Sequence, residues 1–273
     1  MNTTLAMPRP TAGATPFRRE PLPIARMLRA YLMEAGFEML GALRTAGFAI
    51  PFVVVPVAIY VLFVVVINPN PASGPYGPGI ANYFFSGFAA MAAVMPGIFS
   101  GVILAQEREG NLLKLKRALP LPPGAAIAAK TLMAMGVSAL AVTLVAIAAL
   151  VAGKLTISLA QVAIIWAVLI AGTIPFSAIG LLIGAYSSGA AAPAYGNLVF
   201  LPMMWLSGLF IPLPAFLKPW VVVWPTFHLD QLALGLAGVK QFTYIPPSIT
   251  AAVLVGVTVL CGGVAIRRLA RVG

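Results

Sequence analysis

Apolar residues run through this chain in long blocks broken by short polar stretches, and most blocks show neither a two-residue alternation nor a single helical stripe. About 20 consecutive apolar residues carry a helix across the hydrocarbon of a bilayer, where only helices and closed barrels satisfy their own backbone. Continuous runs select helices over a barrel, whose strands alternate. The blocks predict six spans, at 48–67, 80–105, 131–152, 159–186, 194–211 and 245–266.

One stretch is patterned differently. In LPIARMLRAYLMEAGFEMLGALR, residues 22–44, Leu28, Leu32, Ala35, Met39 and Leu43 fall near one face, and Arg26, Arg29, Glu34, Glu38 and Arg44 sit mainly off it. That predicts an amphipathic helix lying in the membrane interface, with a plain cytoplasmic extension of the first span as the alternative. Residues 1–21, rich in Pro, Thr, Ala and Gly, read as a disordered cytoplasmic tail. The arginines and prolines ahead of the first apolar run do not resemble a cleavable signal. Residues 267–273 form a basic cytoplasmic tail after a membrane domain over 48–266.

Composition sharpens the class. The chain is 61% hydrophobic and 8% charged, against roughly a quarter charged in a soluble domain. Of its 17 basic residues, only Lys154, Lys218 and Lys240 fall in segments predicted to lie outside. The positive-inside rule then puts both termini in the cytoplasm of a multi-pass inner-membrane protein. The net charge of +11 follows from topology and anionic lipid, with no nucleic-acid partner required.

Enzymatic readings lack their residues. The one Gly-Lys pair, Gly153-Lys154, is followed by Leu155, so there is no nucleotide-binding P-loop. There is no G-x-S-x-G, no H-E-x-x-H, and Cys261 is the single cysteine. His228 and Asp230 make at best half a metal site. The predicted spans contain no Asp, Glu, Lys, Arg or His, so proton coupling has no carrier at membrane depth. A sodium-coupled or uncoupled secondary transporter remains an alternative, because Pro51, Pro56, Pro96, Pro175 and Pro202 can break helices and free backbone oxygens. A membrane enzyme acting on lipid through Glu107 and Glu109 ranks third.

Between the second and third spans, AQEREGNLLKLKRALPLPP gathers six charges, Glu107, Arg108, Glu109, Lys114, Lys116 and Arg117. Carboxylates precede bases, as a helix dipole favours, and Pro120, Pro122 and Pro123 end the run. Leu112, Leu115 and Leu119 fall on one side. The pattern predicts a short cytoplasmic helix, held at both ends by spans, with an apolar ridge.

Glu107-Arg108-Glu109-Gly110-Asn111-Leu112, with Leu115 and Ala118-Leu119-Pro120, resembles the E-R-E-x-G-T-L-x-x-L-x-x-T-P stretch of ABC-2 type transporter permeases. Leu206-Ser207-Gly208-Leu209-Phe210-Ile211-Pro212-Leu213 is similar to that family's L-S-G-x-F-x-P-L stretch, and Trp224-Pro225-Thr226 follows in order. The resemblance implies an all-α membrane protein of six spans, with an interfacial helix, a coupling helix between spans 2 and 3, and a re-entrant helical segment before span 6. It implies an exporter subunit with no catalytic residue and no cofactor of its own. Two copies of a separate ATPase subunit would bind ATP and Mg, and a second permease copy, identical or related, would complete the transporter. Docking would fall to Glu107, Arg108, Glu109, Gly110, Asn111, Leu112, Leu115, Arg117 and Pro120. The cargo would be drug-like, lipid-like or a glycan, with Phe84, Phe88, Met91, Met203 and Trp205 as candidate path residues on spans 2 and 5. The pairs Gly97/Gly101 and Gly180/Gly184 are spaced for close helix approach.

Overall fold

The computed structural model describes residues 24–68, 70, 73, 77, 79–118, 124–211 and 214–272, which form helices and short turns with no strand among them. The tail expected over 1–21, and Leu119, Pro120, Pro122, Pro123, Pro212 and Leu213, lie outside the described residues. In chain order the helices are α1 (Ile24–Arg44), α2 (Ala46–Ile67), α3 (Ile80–Glu109), α4 (Leu112–Ala118) and α5 (Ala125–Val151). They continue with α6 (Leu159–Ala171), α7 (Thr173–Tyr186), α8 (Ala192–Leu206), α9 (Pro225–Leu236) and α10 (Pro247–Val272).

Among the described residues, five stretches are long and apolar enough to cross a membrane: α2, α3, α5, α6 with α7, and α10. The fifth predicted span differs. Its helix, α8, stops at Leu206 after 15 residues, a rise of about 22 Å against roughly 30 Å of hydrocarbon. Ser207 caps the helix with right-handed backbone angles, and the chain leaves helical geometry at Gly208, which takes a positive φ of 75°.

The apolar core of α3 is 83% buried and that of α10 only 17%, so α3 is the axis of the fold and α10 lies at its edge. Small residues make this possible. The Gly97/Gly101 ridge of α3 meets the Gly180/Gly184 ridge of α7 so closely that a methyl on Gly101 would overlap the Gly180 carbonyl. Ser138 of α5 and Thr173 of α7 both donate to the Ala93 carbonyl, at 3.0 and 3.4 Å, binding two neighbours to α3 at one point.

Proline and polar caps shape the ends. α2 widens into π-type turns over Ile50–Val54, where Pro51 supplies no N–H. Lys154 donates to the carbonyls of Val64 and Asn68 at 2.8 and 3.3 Å, closing the end of α2. Asn82 donates to Thr156 Oγ1 at 2.6 Å and accepts from its N–H at 3.0 Å. Ser158 and Gln161 form a capping box that starts α6. At the break between α6 and α7, Leu229 of α9 packs against Gly172.

α1 is a helix, as its pattern predicts, but it is rolled about its axis. Ala35, Met39, Ala42 and Leu43 do face the bundle, while Leu28 and Leu32 are exposed and Glu34 and Glu38 turn inward. The reason is electrostatic: two lysines on other helices stand under that face.

Candidate functional site

The charged stretch after α3 builds the site. α3 carries Glu107, Arg108 and Glu109 past its apolar core and ends at Gly110. Asn111 then takes φ 60°, a left-handed conformation that asparagine tolerates better than most residues, and the chain reverses into α4. α4 is two-faced. Leu113 is buried with Leu104, Leu181, Ala185, Ala265 and Leu269. Leu112 and Leu115 point away and are 48% and 63% exposed. Arg117 lies in the last turn of α4.

The structure separates charges that the sequence groups together. Arg108 turns inward and donates to the carbonyls of Ala185 and Ser187, each at 2.5 Å, capping the end of α7. Glu109 and Lys114 are exposed. Glu107 joins a cluster drawn from four helices. Lys130 of α5, fully buried, donates to Glu38 Oε2 and Glu107 Oε1, each at 2.5 Å. Lys116 of α4 bonds Glu38 Oε1 and lies 3.1 Å from Glu34 and 3.7 Å from Glu107 Oε2. Burial opposes the charge on Glu38, but the ammoniums of Lys130 and Lys116 outweigh it and hold the carboxyl below its usual range. Burial likewise opposes the charge on Lys116, and the carboxylates of Glu38, Glu107 and Glu34 outweigh it and raise its pKa.

Pattern reading missed this cluster. The predicted third span begins at residue 131 and leaves Lys130 just outside it, whereas α5 begins at Ala125 and buries the residue. The available signals were a lone lysine inside AAIAAKTLMAMGV and a Glu34/Glu38 pair at helical spacing.

Beside the cluster, a cavity of about 950 Å³ opens between α1, α2, α3 and the start of α8. Glu34, Glu38, Glu107 and Lys116 border it at the α4 end, and Phe48, Phe52, Met95 and Phe99 form its apolar wall. The five candidate path residues do not line it. Phe88, Met91 and Met203 are buried in the core, Phe84 is half-buried, and Trp205 is exposed. Phe210 links two of them, its ring 5.0 Å from Phe88 and 5.5 Å from Trp205.

His228 and Asp230 do not converge on a shared site. His228 Nε2 meets the Val222 carbonyl at 2.8 Å, while Asp230 accepts from Ser86 at 2.5 Å. Among the described residues no group of three or more metal-type side chains comes together.

Comparison with curated proteins finds no match. The model of the ABC-2 type transporter family matches residues 37–239, from the middle of α1 to the turn after α9, and the chain belongs to that family as the multi-pass membrane component of an ABC-type transporter.

Proposed function

We propose that two permease copies and two copies of a separate ATPase subunit form an ATP-driven exporter, with α4 as the element the ATPase grips. The observation that carries this reading is the two-faced α4. Leu113 and Lys116 fasten it to the bundle, and Leu112 and Leu115 leave an apolar ridge uncovered. Asn111, Glu109 and Lys114 flank the ridge with exposed polar groups that can orient a partner. ATP and Mg belong to the ATPase subunit, since this chain carries no P-loop.

A push on α4 reaches the membrane through rigid ties. Lys116 hands it to α1 and α3, and Lys130 joins those two to α5. Arg108 ties the end of α3 to α7. Closure of the ATPase pair thus moves four helices together and opens the cavity alternately to the two sides. The α4 end is cytoplasmic, as are both termini, because that end collects the basic residues. The bacterial inner membrane is the setting. The cavity loads a drug-like, lipid-like or glycan cargo from the cytoplasmic side. The second permease is another copy or a related chain.

Gentle detergent extraction, mass spectrometry of what co-purifies, and an ATPase assay on the complex test this. A P-loop ATPase at equal stoichiometry is expected, and Leu115→Asp should remove it while leaving the permease monodisperse. A lone protein indifferent to ATP would overturn the reading in favour of ion-coupled transport.

A further inference from the structure

We infer that the cavity beneath α1 takes an amphiphile carrying one protonated amine on an apolar, aryl-bearing body. The exporter reading makes that molecule cargo; the binding site itself stands on the geometry below.

The charged end of the cavity is unbalanced. Three carboxylates, Glu34, Glu38 and Glu107, face two ammoniums, Lys116 and Lys130. Neither lysine is available to an anion. Lys130 is fully buried beneath two carboxylates, and Lys116 lies among three. Among the described residues, Glu107 Oε2 is buried and accepts no hydrogen bond, its nearest ammonium standing 3.7 Å away. An ammonium at this end of the cavity, beside the Glu34 and Glu38 carboxylates that line it, would neutralise the residual charge through charge-assisted hydrogen bonds.

The other end selects the body of the ligand. Phe48 and Phe52 lie 4.2 Å apart, and Phe52 and Phe99 5.0 Å apart, centroid to centroid, giving a continuous aromatic wall extended by Met95. Thr45, Gln106 and Asn197 also line the cavity and are its uncharged polar groups. A volume of about 950 Å³ accommodates a drug-sized molecule. A carboxylate or phosphate in the same place would meet net negative charge, and a neutral alcohol would leave that charge unpaired.

The test uses three probes that differ only at one end: 4-phenylbutylamine, 4-phenylbutanol and 4-phenylbutyrate. Each is titrated calorimetrically into the full chain in phosphatidylcholine nanodiscs, with empty nanodiscs subtracted. The amine should bind at least about tenfold more tightly than the alcohol, and the carboxylate should not bind. Glu107→Gln should remove most of that preference. Glu34→Gln, at the rim, should reduce it less and serves as the second variant if Glu107→Gln does not fold. Equal binding of the three probes, no binding of the amine, or a preference untouched by these variants would overturn the inference. No ATPase enters the titration. Amine binding without a co-purifying ATPase would sink the exporter reading alone, and the converse would sink only the ligand class.

Discussion

Lys130 shows how one side chain can organise a junction. It is fully buried, its ammonium held by Glu38 and Glu107. Removing one partner of a buried ion cluster leaves charge without compensation, at a cost of about 3–5 kcal/mol. Lys130→Met should therefore lower the thermal midpoint sharply in detergent. Adding Glu107→Gln to it should recover part of the loss, because the two substitutions act on one cluster. Sequence carried its members only as separate signals, since Lys130 meets Glu107 and Glu38 across separations of 23 and 92 residues. Asp230 is a second buried acid. Burial pushes its carboxyl up to about 7 against the opposing hydrogen bond from Ser86. A raised folded pKa means its contribution to stability is complete below the unfolded value, near 4, and is lost as pH rises through about 7. The thermal midpoint of the native chain should fall across that window. Asp230→Asn should flatten the fall, and an unchanged pH profile would contradict the assignment.

At the level of elements, sequence was most legible where one physical demand dominates. Apolar length located α2, α3, α5, the α6–α7 pair and α10, because backbone satisfaction in lipid leaves helices as the solution. The small-residue spacing of Gly97, Gly101, Gly180 and Gly184 foreshadowed the contact between α3 and α7. It failed where tertiary demands override local pattern. Hydropathy extends the fifth block to residue 211, but the positive φ at Gly208 and the packing of α9 end α8 early. α1 rolled because buried Lys130 and half-buried Lys116 outweigh the apolar pull of Leu28 and Leu32, which the bilayer interface can receive instead. The helix contact makes a clean prediction. Gly101→Ala places a methyl on the Gly180 carbonyl and should destabilise by about 1–3 kcal/mol, with reduced yield of folded protein. Gly256→Ala in α10, where a methyl meets nothing within 4 Å, should be neutral. Equal effects would mean that α3 and α7 are not held backbone to backbone.

For the molecule as a whole, its two ends are chemically distinct. One end gathers α4, the ion cluster, Arg108 against the end of α7, and Arg268 stacked 5.3 Å over Tyr186. The other holds Lys154, the Asn82–Thr156 pair and Lys240 beyond α9. Sequence anticipated this division through its charge bias, yet not the cavity, whose lining runs from Glu34 to Asn197 and converges only in the folded chain. If the α4 end is cytoplasmic, a membrane-impermeant maleimide must distinguish two exposed positions. With Cys261 first replaced by alanine, Lys240→Cys should react in intact cells and Lys114→Cys should not. In inverted vesicles the pattern should reverse. Labelling of both variants in the same preparation would break the even-span topology. Labelling of the Lys114 variant in intact cells would turn the molecule over and place α4 where no cytoplasmic ATPase can reach it.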